Sequence, residues 1–447
     1  MEMSKVMEKK YSLVSLIAYA TPTIVMMVFM AFYTMIDGIF LANFVSATAL
    51  SAVNIFLPVY GLITAIALML GTGGSAIVAK KMGENKEREA KENFSFIALS
   101  GSVIGVLIML VGSIFLNPLL EVLGANANGE LFQLTFDYAR IILLVSPLMV
   151  LQMFFQSFFV TVGKANVGLM ITIVGGVANI VLDYVFIIIL QMGITGAAVA
   201  TAIGIGLPAI FGTIYFLKRN ENELCLVKPK IDIAVLITSF VNGSSEMVNN
   251  LSFSVVTFAY NILMIQYFGV AGVAAVTVIL YVMYLIESIF TGYATGVAPI
   301  FSYNYGSKNI NQLKSVFKHS LWIIFFGSVI VYGISIIIGP YFIHFMSSKG
   351  SQVEMIAMDG FRIFSITFLL IGFNIFTSVM FTAFSNGKVS GFISLLRTFV
   401  FVIVFLLILP PVIGENGIWM AVPLSEILAL IICSVFLTLN RKVYHYI

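Results

Sequence analysis

Five acidic residues lie inside long apolar runs of this sequence, where a charged side chain is costly. A carboxylate at the centre of a membrane-spanning helix costs about 2.5 to 3.5 kcal/mol on insertion scales, so each acid needs a partner, a wet cavity or a proton. Ionisable residues in such runs are functional candidates, and pairing with a neighbouring arginine is the structural alternative. The five acids are Asp37, Asp183, Glu246, Glu287 and Glu426.

One of these acids belongs to a wider group of oxygen-bearing side chains. Asn179 and Asp183 are four residues apart, which places them on one face of a helix. Thr201 follows the glycine-punctuated start of the next helix. Carboxylate, amide and hydroxyl oxygens of this kind can hold a proton or a hard cation such as sodium.

Other chemistry finds little support in the residue types. The two cysteines, Cys225 and Cys433, are far apart, which argues against a disulfide framework or a cysteine metal site. The three histidines, His319, His344 and His445, are equally scattered. We therefore expect no cofactor and no histidine-based metal site.

Composition defines the setting of these residues. The chain has 447 residues, of which 60% are apolar and 10% charged, and its mean hydropathy is +1.07. A soluble domain could not hide so much apolar surface, so the sequence predicts an integral membrane protein. Spans of about 20 residues with short loops leave room for about a dozen transmembrane helices and no sizeable soluble domain.

Apolar runs, and the glycines and prolines that interrupt them, predict twelve transmembrane helices. The apolar run from Tyr11 to Ile36 is too long for a signal peptide and is read as the first span. A second span is separated from it within the small and polar segment from Ala42 to Ser51. The predicted spans are 12–37, 50–79, 93–116, 136–160, 165–190, 196–217, 233–264, 270–302, 315–339, 355–384, 388–410 and 417–439.

Basic residues give the predicted orientation. With the amino terminus inside, 19 of the 23 lysines and arginines fall in inside segments, and the outside loops hold only Lys349. The positive-inside rule then predicts that both termini are cytoplasmic. The remaining three, Arg140, Arg362 and Arg397, fall within predicted helices. The net charge of +3 therefore marks orientation, and we expect no nucleic-acid partner.

The chain also repeats itself. Shifting it by 223 residues aligns 13 identical positions among the 43 between Ala52 and Phe94, including Gly73 with Gly296 and Gly83 with Gly306. This predicts two halves, 1–225 and 226–447, each a six-helix bundle. Because six spans return the chain to its starting side, the halves share one orientation and should face each other across a central cavity.

The duplication does not extend to the acids. Asp37 aligns with Tyr260, Glu246 with Thr23, and Glu287 with Thr64. A symmetric scaffold that carries unsymmetric chemistry is therefore expected.

Several local runs resemble a known family. The run from Thr34 to Phe40, with Pro22 upstream, resembles the first helix of the multidrug and toxic compound extrusion (MATE) transporters. The run from Asn179 to Phe186 resembles the helix 5 motif of that family, and the run from Gly196 to Thr201 resembles its helix 6 motif. The similarity covers essentially the whole chain and is closest to the MepA-type branch.

This resemblance implies roles for individual residues. Asp37, Asn179, Asp183 and Thr201 would form the coupling-cation site of the amino half, with a proton or a sodium ion as occupant. Pro22 would mark a bend in helix 1. Glu246, Glu287 and Asp183 would attract and orient the substrate.

Three classes of function are open to a membrane protein of this kind. The favoured one is a secondary antiporter, driven by protons or sodium, that exports lipophilic organic cations by alternating access. A flippase for lipid-linked precursors is the alternative, but its anionic headgroup calls for basic cavity residues. A membrane-embedded enzyme lacks a paired-histidine, aspartate-rich or nucleophile motif. We expect a monomer in the cytoplasmic membrane of a bacterium.

Overall fold

The structure, a computed structural model, describes residues 6–125, 129–218, 224–347 and 349–447, without the side chains of 37–39, 41–43 and 47. Throughout these residues the regular structure is helical. Spanning helices satisfy their backbone hydrogen bonds internally, as a hydrocarbon environment requires.

The amino half contains eight helical segments, α1 to α8, and α7 continues into a π-helix over Tyr184–Ile189. Their bounds are α1 Leu13–Phe44, α2 Ala47–Gly83, α3 Glu87–Ile114, α4 Leu116–Val122, α5 Gly129–Leu144, α6 Ser146–Thr161, α7 Ala165–Asp183 and α8 Gly193–Leu217.

The carboxyl half contains α9 to α16, with a 3₁₀ turn over Ser365–Leu369 and a second π-helix over Leu396–Val400. Their bounds are α9 Ile233–Asn242, α10 Ser244–Gly306, α11 Ile310–Met346, α12 Gln352–Phe364, α13 Ile371–Ala383, α14 Gly387–Leu395, α15 Phe401–Ile413 and α16 Glu415–Tyr444.

These segments make twelve crossings. Within the described ranges, nine helical stretches are long and apolar enough to span a membrane, and two bent pairs, α5 with α6 and α12 with α13, raise the number to 11. The 63-residue α10 is interrupted at Gly269, whose φ is 65°. The parts before and after this break, 244–268 and 270–306, are each long enough to span a hydrocarbon core. Helix α10 therefore supplies two crossings. The prediction of an all-helical protein with about twelve transmembrane helices is confirmed.

Some predicted boundaries were wrong. The fourth span begins at Gly129 rather than at 136, and it bends by 54° between α5 and α6. Pro147 follows that bend in the first turn of α6, where its missing N–H removes no helical hydrogen bond. The predicted loop between spans seven and eight is reduced to the turn at Gly269. By contrast, the predicted break after span one is present, and Ser46 caps α2 by accepting a hydrogen bond from the Ala49 N–H at 3.0 Å.

The backbone repeats between the halves. Asn85 and Lys308 both have left-handed φ, 59° and 56°, and they are related by the offset of 223 residues. Gly193 and Gly414, with φ of 59° and 68°, follow the same pattern at an offset of 221. Turns of unusual conformation therefore recur at equivalent places in the chain.

Glycines let the two halves approach at one end. A Cβ on Gly83 would meet the Tyr303 carbonyl oxygen, and a Cβ on Gly306 would meet the Lys80 carbonyl oxygen. Residues 80 and 303, like 83 and 306, are equivalent under the duplication. The interface is thus reciprocal, as expected where two similar units meet about a twofold axis.

The segment before α1 closes the same end. The Tyr303 hydroxyl donates to Glu8 Oε1 at 2.9 Å, and Asn304 Nδ2 donates to the Met7 carbonyl at 3.0 Å. Gln312 Nε2 donates to the Lys9 carbonyl at 2.6 Å. Residues 7–9 therefore tie the amino terminus to the second half, beside the loops that carry Lys86 and Lys308. We call residues 7–9 with residues 80–83 and 303–306 the closed end.

Candidate ion and substrate sites

The amino-half site is centred on α7. Asn179 and Asp183 are buried, with exposed fractions of 3% and 0%, and they lie one turn apart on the same face. Helix α8 approaches this face closely, because a Cβ on Gly204 would lie 2.9 Å from Asn179 Cβ. Thr201, one turn before Gly204, is half-buried on α8. The structure thus places three predicted residues on two tightly packed helices.

Two polar atoms of this group have no hydrogen-bond partner. They are the Asn179 amide nitrogen and the Thr201 hydroxyl, both buried. Burying a polar group without a partner is costly, and such groups are rare in folded proteins. The Asn179 side-chain carbonyl, the Thr201 hydroxyl and the Asp183 carboxylate are oxygen ligands of the kind that sodium takes, and the Asp183 carboxyl group can instead carry a proton. The residues present are compatible with either coupling ion.

A change of helix type adjoins this site. The π-helix Tyr184–Ile189 begins directly after Asp183, and the Leu190 N–H bonds to the Val185 carbonyl at 2.9 Å. Single π turns inside α-helices occur frequently at functional sites. The turn marks the end of α7 at the proposed ion-binding residue.

Two other predicted residues lie on α1. Asp37 belongs to this helix, but its side chain lies outside the described ones. Helix α1 continues through Pro22, so a bend at that residue stays a prediction.

The carboxyl half has a different arrangement, built around one arginine. Arg397 lies on the π-helix after α14 with an exposed fraction of 6%. Its Nη2 donates to Glu287 Oε1 at 3.2 Å, and its Nε lies 3.7 Å from Glu426 Oε1. Glu426 Oε2 also accepts a hydrogen bond from Asn374 Nδ2 at 2.6 Å. We call Arg397, Glu287, Glu426 and Asn374 the arginine cluster.

Glu246 makes no ion pair with Arg397 among the described contacts, but the positive charge of the Arg397 guanidinium acts on it. It lies in the first turn of α10, where a carboxylate is favoured by the helix dipole. The two predicted substrate residues of the carboxyl half, Glu246 and Glu287, are therefore both within the influence of one positive charge.

The sequence prediction of this cluster was incomplete. Pairing with a neighbouring arginine is the structural alternative for these acids, and the structure shows it for Glu287 and Glu426, whose partner is Arg397. Asn374 was missed because a single buried amide in an apolar helix gives no sequence signal. Within the described residues, no group of three metal-ligating His, Cys, Asp or Glu side chains occurs.

A known protein family matches most of the chain. The profile of the MatE family matches two segments, residues 22–185 and 247–408, which together make up most of the sequence. The chain belongs to the MatE family. It is thus a multi-pass membrane transporter of the multidrug efflux class rather than an enzyme.

Individual relatives agree with this placement. Multidrug export protein MepA of Staphylococcus aureus strain MRSA252 is 23% identical over 97% of this chain and 95% of its own length. The protein of the same name from Staphylococcus saprophyticus is 22% identical over 94% of this chain and 92% of its own length. The predicted resemblance to MepA-type MATE transporters is confirmed.

Solved structures share the fold. A multidrug resistance MATE family transporter of the MOP superfamily in an outward-facing conformation superposes with a TM-score of 0.90 at 23% identity, over 97% of both chains. A MOP superfamily transporter from Pyrococcus furiosus, described as having a binding pocket of reverse polarity, gives a TM-score of 0.89 at 23% identity, over 98% of this chain and 97% of its own. At this identity the likeness concerns the fold.

Proposed function

We propose that the protein is a cation-coupled antiporter that exports lipophilic organic cations by alternating access. Its two halves, residues 1–225 and 226–447, would rock about the interface between them, and a proton or a sodium ion would drive the cycle. The observation that supports this proposal most strongly is that the buried charged side chains of the described spans are mostly acidic.

Acids predominate among the buried ionisable groups of the spans. Asp183 and Glu426 are buried, and Glu246 and Glu287 are half-buried. Of the intramembrane arginines, Arg140 and Arg362 are exposed, and Arg397 is engaged by two carboxylates.

This balance favours a cationic substrate. An anionic lipid pyrophosphate would require several free basic groups, and leaving it unpaired in an apolar setting would cost much of its hydration energy. A lipophilic cation instead finds complementary charge. The flippase reading is therefore the second candidate, and binding experiments decide between the two.

Coupling is assigned to the amino half. Asp37, Asn179, Asp183 and Thr201 would receive the coupling ion, while Glu246, Glu287 and Asp183 would hold the substrate. Occupation of the Asp183 carboxylate by a proton or sodium ion removes its attraction for an organic cation, so ion binding expels the substrate. Because Asp183 belongs to both sets, it links the two binding events.

Orientation follows from the basic residues. Lys80, Lys81, Lys86 and Lys308 lie at or beside the closed end. By the positive-inside rule this end faces the cytoplasm, which makes both termini cytoplasmic and the conformation closed towards the cell interior. We place the protein, as a monomer, in the bacterial cytoplasmic membrane.

Uptake into inverted vesicles tests the proposal. Ethidium should accumulate in vesicles that contain the protein when the proton or the sodium ion is more concentrated inside the vesicle, because the coupling ion then leaves as ethidium enters. Each gradient is applied separately to identify the ion. A lipid pyrophosphate that binds the purified protein at least as tightly as ethidium would replace the antiporter with a flippase. Absence of ethidium uptake under both gradients would also contradict the proposal.

A further inference from the structure

The arginine cluster has a rigid side and an accessible side. On the rigid side, Glu426 is fixed by Asn374, whose Nδ2 donates to both the side chain and the carbonyl of Glu426, at 2.6 and 2.9 Å. The Ser425 hydroxyl donates to the Arg397 carbonyl at 2.7 Å, which holds the backbone of the π-helix. These groups are nearly inaccessible, with 3% of the Glu426 side chain exposed.

Glu287 forms the accessible side. Its side chain is 22% exposed, against 6% for Arg397. It lies about midway between Gly269 and Gly306 in the second crossing of α10. Glu287 is therefore the most accessible member of the cluster.

The guanidinium has unused hydrogen-bonding capacity. Arg397 Nη1 is buried and has no hydrogen-bond partner, and the Nε contact with Glu426 is an ion pair at 3.7 Å rather than a hydrogen bond. A guanidinium can form two parallel hydrogen bonds with one carboxylate. Arg397 is thus divided between two carboxylates and satisfies neither in full.

We propose that Arg397 is a specificity-determining residue, which occupies Glu287 as an internal cation and discriminates against substrates of higher positive charge. This inference rests on the proposed function, in which Glu287 binds the cationic substrate. A substrate must displace the guanidinium from Glu287, and Arg397 then turns towards Glu426. The guanidinium remains close to the bound substrate throughout.

The charge of the substrate sets the size of this effect. Coulomb repulsion is proportional to the charge of the ligand, so Arg397 disfavours a dication about twice as much as a monocation in free energy. Specificity obtained through such a repulsive element is common in binding sites. Arg397 therefore lowers the affinity for dications more than it lowers the affinity for monocations.

Ethidium and propidium form a suitable pair of probes. They share a phenanthridinium ring, and propidium carries a second, quaternary ammonium charge. Dissociation constants are measured by fluorescence with the purified full-length protein. Arg397→Gln should tighten propidium binding about tenfold and ethidium binding about threefold. Glu426→Gln should weaken both, propidium more, because the guanidinium is then left to Glu287 alone.

Two further variants control the experiment. Arg140→Gln removes the positive charge of an exposed arginine, and it should leave the dissociation constants of both dyes unchanged. Arg397→Gln combined with Glu426→Gln removes both buried partners together, which avoids leaving an unpaired buried charge. This double variant should still bind propidium more tightly than the wild type does, although by less than Arg397→Gln. It replaces the single variant in the test if Arg397→Gln does not fold.

The outcomes separate the inference from the proposed function. If Arg397→Gln and Glu426→Gln shift binding in the same direction, or if the ratio of the two constants stays unchanged, Arg397 is structural and the inference is wrong. If Glu287→Gln leaves the binding of both dyes unchanged, the substrate site itself is misplaced and the proposed function fails at this residue.

Discussion

The two halves of the chain repeat several backbone features but differ in how they hold buried charge. In the amino half, Asn179 and Asp183 lie one turn apart on α7, which packs closely against α8, the helix of Thr201, at Gly175 and Gly204. In the carboxyl half, Glu287 and Glu426 share one guanidinium. The first arrangement suits a small ion that arrives and leaves, whereas the second already contains its cation.

Glycines show the contrast most directly. A Cβ on Gly175 would lie 2.6 Å from the Gly204 carbonyl oxygen, so these glycines allow α7 and α8 to touch. The amino half thus brings two helices into direct contact, whereas the carboxyl half holds a buried ion pair between Arg397 and Glu426.

The π-helices differ in the same way. One follows Asp183 and the other contains Arg397, yet the two are not at equivalent positions of the repeat. Each lies next to the buried ionisable group of its own half. The glycine contacts of the closed end thus recur in both halves of the chain, whereas the buried ionisable groups do not.

The largest expected effect concerns Asp183. Asp183→Asn, like Asp37→Asn, should abolish coupled ethidium uptake in vesicles, a loss of about a hundredfold or more, because an amide cannot exchange a proton or balance a cation. The protein should remain folded. Asp137→Asn is the matched control, since Asp137 is paired with Arg140 at 3.3 Å on an exposed part of α5, and its uptake should be normal. Normal drug resistance in cells that carry Asp37→Asn or Asp183→Asn would contradict the assignment of that residue to ion coupling.

The next effect tests the symmetric part of the comparison. Gly306→Ala places a methyl group against the Lys80 carbonyl, and Gly83→Ala places one against the Tyr303 carbonyl. Each should hinder formation of the closed end and reduce transport about tenfold, to a similar extent in both variants.

Spin labels on the two loops beside these glycines measure the closure as a distance distribution. Gly333→Ala is the control, because a Cβ there meets nothing within 4 Å. Unequal effects of the two glycine variants would show that the halves do not meet symmetrically.

Glu287 provides a third test. Glu287→Gln removes the accessible carboxylate of the arginine cluster, so propidium binding should weaken about tenfold and ethidium binding about threefold. The measurement is a fluorescence titration at constant pH. An equal loss for both dyes would show that Glu287 does not sense the charge of the substrate.

The smallest effect concerns the contact of the amino terminus with the second half. Tyr303→Phe removes the 2.9 Å hydrogen bond to Glu8 and should reduce transport about twofold to fivefold, because a hydrogen bond to a charged group contributes modestly where water can compete. Tyr341→Phe, on an exposed face of α11, should have no effect. Loss of transport beyond that range would indicate that residues 7–9 do more than close the end.

Much of the fold could be predicted from the sequence, because hydropathy, basic residues and the repeat act over whole segments. The bend before α6 was missed because the run from 141 to 160 is predominantly apolar and gives no hydropathy signal of a break near Pro147. Helix ends were placed too far inward, as at Gly129 and Glu87, because the helices extend past their apolar parts.

The candidate sites were predictable only in part. Asn179 and Asp183 lie on one helix, so their spacing indicated a common face. The arginine cluster joins residues from four separate crossings, and no spacing within the chain indicates which arginine meets which glutamate. The cost of a buried charge predicts that a partner exists, whereas its identity depends on tertiary packing.

The central claim, that the amino half couples the ion and the carboxyl half reads the substrate charge, is tested most directly by binding titrations over pH. Ethidium and propidium are titrated against the wild type, Asp183→Asn and Glu287→Gln at several pH values. The pH dependence should disappear for both dyes in Asp183→Asn and persist in Glu287→Gln. A pH dependence that survives in Asp183→Asn and disappears in Glu287→Gln would contradict the claim and reverse the two roles.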